Sequence, residues 1–349
     1  MNYKPLKIGK LTAKIPLVQG GMGVGISLSG LAAAVANEGG VGIISTAQIG
    51  FREPGWENNP IEVNLKAIKK EFCKARELSP QGILGFNIMV ATKRYEDYVR
   101  SAIKAGADII ISGAGIPVDL PKYVEGCKTK IAPIVSSVKA AALICKLWLR
   151  RYNRVPDMVV VEGPKAGGHL GFTPEEAENL TREEYDVEIK KIIKEVKACA
   201  MNNDCEIPVV VAGGIYSRED VRHVIEDLKA DAVQISTRFV PTVECDAPLA
   251  YKEAYIKAEK EDIVITKSPV GMPGRAIANP FLAKEEKPKT KKCYQCIEKC
   301  DPKENIYCIT SALVNAAQGN LDEALLFCGS EAWQAKEITA VHNVVNDLF

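Results

Sequence analysis

Residues 158–172 read Met-Val-Val-Val-Glu-Gly-Pro-Lys-Ala-Gly-Gly-His-Leu-Gly-Phe. Val159, Val160 and Val161 continue an apolar run that suits a short strand covered on both faces, as in a parallel sheet. The run stops at Glu162-Gly163-Pro164, and a glycine-rich turn then holds up His169. Gly167 and Gly168 let the backbone approach a bound group and take φ > 0 without a Cβ clash. An acid and an imidazole therefore stand at the carboxyl end of a buried strand, where parallel α/β sheets bind ligands. The plainer alternative is a satisfied structural histidine in a tight loop.

Seven more segments share this apolar, strand-length character: 15–20, 41–46, 84–90, 108–114, 131–137, 208–214 and 232–237. Amphipathic stretches lie between them at 28–38, 61–77, 95–105, 139–151, 186–201 and 218–228. Strands alternating with helices of this length imply right-handed βαβ units and a parallel sheet. Eight such units within about 240 residues predict an α/β fold, a closed (β/α)8 TIM barrel rather than an open doubly wound sheet. The barrel is expected over residues 1–245, with a smaller, mainly helical region over 246–349 whose last segment packs back on it.

The strand ends are rich in small and polar residues. The first is followed by Gly20-Gly21-Met22-Gly23-Val24-Gly25, whose amides can approach a planar ligand, although a lone glycine-rich turn is a weak dinucleotide signal. The third ends at Asn87, the fourth at 112–115 and the fifth at Ser136-Ser137. The seventh ends at Gly213-Gly214, with Ser217 as N-cap of the next helix, and the eighth carries Gln234, Ser236 and Thr237. Barrels commonly bind phosphate with the loops after strands seven and eight and a helix N-terminus. Gly213 and Gly214 can expose amides there, and Ser236 and Thr237 add amides and hydroxyls.

Composition narrows the partners. With 45 basic against 44 acidic side chains in 349 residues, there is no electrostatic reason to expect nucleic acid or a membrane surface. The apolar runs are strand-length and no export leader opens the chain, so a cytoplasmic protein is expected. Its 11 cysteines then read as reduced thiols, with metal ligands among them. A small-molecule substrate is the expected partner, and a homodimer is left open.

Q-G-G-M-G, F-N-I-M, E-G-P-K-A-G-G-H-L-G, P-V-V-V-A-G-G-I and A-V-Q-I-S-T-R-F occur in this order. Together they resemble the nitronate monooxygenase family, formerly 2-nitropropane dioxygenases, which includes FMN-dependent enoyl-acyl-carrier-protein reductases. The similarity covers about residues 5–280 and returns at Phe327-Cys328-Gly329-Ser330-Glu331. The resemblance implies that Gly21, Met22 and Gly23 sit against the flavin, and that Asn87 and Glu162 reach its ring or ribityl chain. It further implies that Gly213, Gly214, Ser236 and Thr237 hold the phosphate, with Gln234 and the Gly167-Gly168 turn in the same cofactor set. His169 becomes the catalytic imidazole. Two departures stand out: Ser236 replaces a usual glycine, and Pro164-Lys165 replaces a pair that often carries an acid.

The implied activity is oxidation of alkyl nitronates to carbonyl compounds and nitrite with oxygen. The runner-up is NAD(P)H-dependent reduction of an enoyl thioester through FMN, and a non-redox phosphate-binding barrel enzyme is the alternative from another class. His169 has the one side chain there whose ordinary pKa lies near neutrality, suited to proton transfer or to orienting an anion.

Past residue 245, a helix is expected at 247–260, and a loop containing Gly271-Met272-Pro273-Gly274-Arg275 is placed to cover the flavin. A charged spacer follows at 284–292, and helix is expected at 311–318 and 321–348. Cys293, Cys296, Cys300 and Cys308 lie within 16 residues. Such spacings bind tetrahedral zinc or an iron–sulfur cluster; the alternative is loop thiols and a packed Cys308.

Overall fold

The computed structural model describes residues 3–287 and 293–349. Part of the charged spacer, residues 288–292, lies outside the described residues. The chain opens with an antiparallel hairpin, β1 (Leu6–Ile8) and β2 (Leu11–Ala13). Eight parallel strands then close a barrel: β3 (Leu17–Gln19), β4 (Val41–Ser45), β5 (Ile83–Met89), β6 (Ile109–Gly113), β7 (Lys130–Val135) and β8 (Val159–Glu162), and, after the two-residue β9 (Gly168–His169), β10 (Val209–Ala212) and β11 (Ala232–Ile235). Closure is made where Ala232–Gln234 pair with β10 and Val233–Ile235 pair with β3.

Side-chain alternation along a strand divides the core in two. Val159 and Val161 face the helices, in one cluster with Ile189, Ile192 and Val196 of α7 (Arg182–Asn202). Val160 faces the barrel interior with Val18, Ile43, Ile111 and Val210. Leu6 and Ile8 of the hairpin join this interior cluster and close the amino-terminal end of the barrel. By the same alternation Glu162 continues the Val160 face and points into the open, carboxyl-terminal mouth. Asn87 does likewise, since Phe86 and Ile88 on either side belong to the outer cluster.

Six helices fall where amphipathic periodicity places them, α1 (Ser29–Asn37), α2 (Pro60–Leu78), α3 (Tyr95–Ala105), α5 (Val138–Tyr152), α7 and α8 (Arg218–Arg222), while the single turn α4 (Leu120–Tyr123) and the short α6 (Pro174–Asn179) were not expected. Ser217 caps α8 as expected: its hydroxyl accepts the Asp220 amide at 3.2 Å, and Asp220 accepts the Ser217 amide at 2.8 Å.

The region beyond the barrel departs from the sequence reading. After α9 (Leu249–Lys257), β12 (Ile263–Lys267) and β13 (Pro273–Ile277) form an antiparallel hairpin where a loop was expected. β13 also pairs with β9, setting Gly274 opposite His169 and Arg275 opposite Gly168. Past α10 (Pro280–Ala283) and α11 (Ile309–Gln318), the expected continuous helix over 321–348 is interrupted. Single 3-10 turns lie at Leu321–Glu323 and Ala332–Gln334, and only α12 (Val341–Leu348) is α-helical. The interruption has a reason: the extended stretch between those turns runs against β13 and the loop between β8 and β9, with Cys328 N bonding Arg275 O at 3.1 Å and Ser330 N bonding Lys165 O at 3.1 Å.

Candidate active site

A cavity of about 450 Å³ opens at the carboxyl ends of the barrel strands, a size suited to a cofactor or drug-sized ligand. Every residue put forward from the sequence as catalytic or cofactor-binding lies on its wall. Gly21, Met22 and Gly23 come from the loop after β3, and Asn87 from β5. Glu162, Gly167, Gly168 and His169 come from β8 and its loop, Gly213 and Gly214 follow β10, and Gln234, Ser236 and Thr237 follow from β11.

Local backbone explains three of these positions. Gly213 and Gly214 take φ of 101° and 72°, values that L side chains rarely adopt, so the turn after β10 is bare of Cβ atoms on the cavity wall. At Gly167 a Cβ would stand 2.6 Å from the Cys328 carbonyl, so the His169 loop can lie against the returning 327–330 segment only with glycine here.

His169 is held from several sides. Its backbone is paired to β13, and its ring meets Phe327 edge-on, with centroids 5.0 Å apart and planes at 70°. Its Nε2 lies 2.8 Å from the hydroxyl of Ser268, a residue only 2% exposed. Burial lowers the imidazole from its ordinary 6.5 to about 4, so the ring is neutral at physiological pH. Burial acts oppositely on Glu162, raising its carboxyl from 4.5 to about 7. The mouth therefore presents an uncharged imidazole and a carboxyl that can carry a proton near neutrality.

The wall also holds residues that sequence reasoning missed. Tyr251 and Tyr255, four apart on α9 and stacked at 5.6 Å, both donate to the Phe327 carbonyl, at 2.9 and 2.7 Å. An aromatic pair at helical spacing was the available signal. Arg275, expected in a covering loop, is 4% exposed and donates to the carbonyls of Pro164, Ala166 and Ala177 at 2.8, 2.5 and 2.7 Å. It fastens the His169 loop, and Met272 of the same hairpin lines the cavity.

The four cysteines expected as metal ligands lie apart from this cavity. Cys293, Cys296, Cys300 and Cys308 line a second, small one. Among the described residues no group of three or more His, Cys, Asp or Glu is placed to hold a metal ion, so a formed zinc or iron–sulfur centre is not found. The thiols instead carry hydrogen bonds from neighbours, such as Asn305 Nδ2 to Cys300 Sγ at 3.0 Å. Among the described residues no helix is long and apolar enough to cross a membrane.

The cavity fits FMN on its own terms. It offers a Cβ-free turn beside Ser236 and Thr237 for a phosphate, and Asn87, Glu162 and Gln234 as polar groups for a ring. Barrel and mouth together suit an FMN-dependent oxidoreductase, the class to which the family match assigns the chain. Within that class the chain belongs to the nitronate monooxygenase family, whose family model, described as "Nitronate monooxygenase", matches residues 4–349.

Named relatives agree. The chain is 28% identical over 360 residues to the nitronate monooxygenase of Pseudomonas aeruginosa, covering 93% of each chain. It is 27% identical over 301 residues to a probable nitronate monooxygenase of Staphylococcus saprophyticus, covering 79% of each. Among solved structures, FabK from Thermotoga maritima superposes with a TM-score of 0.72 at 26% identity, over 96% of this chain and 91% of that one. Nitroalkane oxidase from Streptomyces ansochromogenes shares the fold, with a TM-score of 0.72 at 18% identity over 96% and 94%. Family membership removes the non-redox barrel alternative.

Proposed function

We propose that the protein oxidises alkyl nitronates to carbonyl compounds and nitrite, using oxygen and an FMN held in the barrel mouth. The carrying observation is His169: a neutral imidazole, fixed by Ser268 and Phe327, on the wall of a cavity built for a flavin-sized ligand. Gly213, Gly214, Ser236 and Thr237 hold the phosphate. Gly21, Met22, Gly23, Asn87 and Gln234 face the ring and its side chain, together with the Gly167-Gly168 turn. Bound there, FMN supplies electron transfer and oxygen chemistry.

The protein's own residues do the rest. His169 accepts the carbon-bound proton when a neutral nitroalkane is offered, and hydrogen-bonds the nitro oxygens when the nitronate arrives preformed. A bound anion next to the ring raises its pKa from the ligand-free value and favours the imidazolium. The Glu162 carboxyl, pushed up to about 7, can donate a hydrogen bond to a ring acceptor where an ordinary carboxylate could only accept. Phe327 and the stacked tyrosine pair give the cavity an aromatic stretch of wall.

A second reading, NAD(P)H-dependent reduction of an enoyl thioester, is favoured by the likeness to FabK over nearly the whole chain. Anaerobic mixing separates the two. Bleaching of the yellow enzyme by a nitronate but not by NADH or NADPH supports nitronate oxidation, and bleaching by NAD(P)H alone supports the second reading. Eleven free cysteines support a cytoplasmic, reducing location.

The phosphate assignment has its own test. Gly214→Asp sets a carboxylate against the phosphate and should yield folded, colourless protein, since buried like charges cost several kcal/mol. Gly214→Ala, which shares the backbone strain but not the charge, is expected to keep at least part of its flavin. Full flavin content in Gly214→Asp removes the assignment.

A further inference from the structure

The chain segment that begins at Cys293 is docked on the barrel by its backbone. Lys93 N bonds Cys296 O at 3.1 Å, Glu298 N bonds Ala91 O at 3.0 Å, and Thr92 and Ile297 form an antiparallel bridge. Tyr294 stacks on Trp56 with centroids 4.8 Å apart and planes at 17°. The segment then folds back to Cys308, the residue that opens α11. This path brings Cys293, Cys296, Cys300 and Cys308 around one cavity of about 30 Å³, lined also by Asn305 and Tyr307 but by no carboxylate or histidine.

Donors are aimed at the sulfurs. Gln295 N points at Cys293 Sγ at 3.4 Å, two residues back across a turn in which Gln295 takes φ of 49°. Asn305 Nδ2 reaches Cys300 Sγ at 3.0 Å, and the Thr310 hydroxyl is hydrogen-bonded to Cys296. Donors of this kind steady a thiolate and steer it, as outer partners do around thiolate-bound metals. All four cysteines are free, so no disulfide explains their convergence.

We propose that Cys293, Cys296, Cys300 and Cys308 bind a thiophilic metal centre, Zn²⁺ or an iron–sulfur cluster, that fastens this segment and α11 to the barrel. Four sulfurs without an oxygen ligand select such metals over Mg²⁺ or Ca²⁺. Ligation of a metal by thiolates releases protons, so uptake strengthens as pH rises.

The centre would bear on the larger cavity, because Leu313 of α11 lines it five residues after Cys308, about 7.5 Å along the helix axis. The proposal stands independently of the reaction proposed above.

The test is metal analysis of the full-length, flavin-containing protein purified anaerobically. Near-stoichiometric zinc, or iron with acid-labile sulfide and broad visible absorbance beneath the flavin bands, is the expected result. Cys296→Ser and Cys300→Ser should lose the metal while keeping FMN, and exposed Cys127→Ser should lose neither. If the two variants do not fold, wild-type protein stripped by a chelator supplies the second measurement. Readdition of Zn²⁺, or of Fe²⁺ with sulfide, should shield four thiols from a thiol reagent. Metal-free protein whose thiols gain no protection from either treatment overturns the proposal.

Discussion

His169 and Ser268 lie 99 residues apart in sequence and share one hydrogen bond. That bond fixes the orientation of the ring, with the hydroxyl able to serve either tautomer, so Ser268 is a positioning residue. His169→Ala should keep FMN and lose about 10²–10⁴-fold in turnover if the ring transfers a proton. Neutral nitroalkanes should suffer more than preformed nitronates; equal, small losses on both would return the ring to a structural role. Ser268→Ala should retain flavin and shift the pH profile of kcat/KM, with Ser268→Thr restoring it. An unmoved profile would show that the hydroxyl serves packing alone.

Glu162 and His169 also tie stability to pH in opposite senses. The native Glu162 carboxyl holds its proton up to about 7 against an ordinary 4.5 in the unfolded chain, so its contribution weakens as pH rises through that window. The native His169 ring resists protonation down to about 4 against an ordinary 6.5, so its contribution weakens as pH falls between those values. In flavin-free protein, wild type should therefore lose stability relative to Glu162→Gln as pH rises from 4.5 to 7, by roughly 1.4 kcal/mol for each pH unit crossed. Urea midpoints of the two proteins across that range decide it, and a constant difference would show that Glu162 titrates normally. The acid and the imidazole were legible as a strand end with a glycine turn. Ser268 was not, because nothing local marks a serine whose partner is supplied by another element.

The cap hairpin shows why one element escaped the sequence reading. Ile263-Val264-Ile265-Thr266-Lys267 is rich in β-branched residues, the usual mark of a strand. All but Lys267 are half-buried, with no alternation between core and solvent, so the period-two signal is missing. Its partner β13 begins at a proline and includes a glycine, which read as turn chemistry. The barrel strands were legible for the opposite reason, since each is a short, largely apolar run bounded by turn residues. Arg275 makes the hairpin matter, because its guanidinium satisfies three backbone carbonyls of the segment around His169. Arg275→Ala leaves those acceptors buried, at about 1–3 kcal/mol for each one unsatisfied. The variant should melt several degrees lower and lose turnover through the His169 loop. A thermal scan and a turnover assay read the two effects separately, and unchanged values for both would mean that the loop holds itself.

At the scale of the molecule, the question is whether residues 246–349 form a separate unit. The expected boundary at 245 falls where the strand–helix pattern fades, and that fading records only the end of the repeating units. Side chains beyond it belong to the barrel's own outer core: Leu326, Val341, Val344, Val345 and Leu348 cluster with Val35, Val233 and Phe239. α12 packs on α1, and Arg238 pairs with Asp347 while His342 Nδ1 meets Glu38 at 2.9 Å. Tyr251, Tyr255, Met272 and Phe327 also complete the cavity wall. A chain ending at residue 245 would expose that apolar outer layer, at roughly 25 cal/mol for each Å² left uncovered. It would also leave His169 without the β13 pairing, Ser268 or Phe327. We therefore expect the full-length protein to unfold in one cooperative transition, and the 1–245 fragment to be insoluble, or to bind an apolar dye and take up no FMN. A soluble fragment with native-like circular dichroism and bound flavin would make the barrel an independent domain and the remainder an appendage.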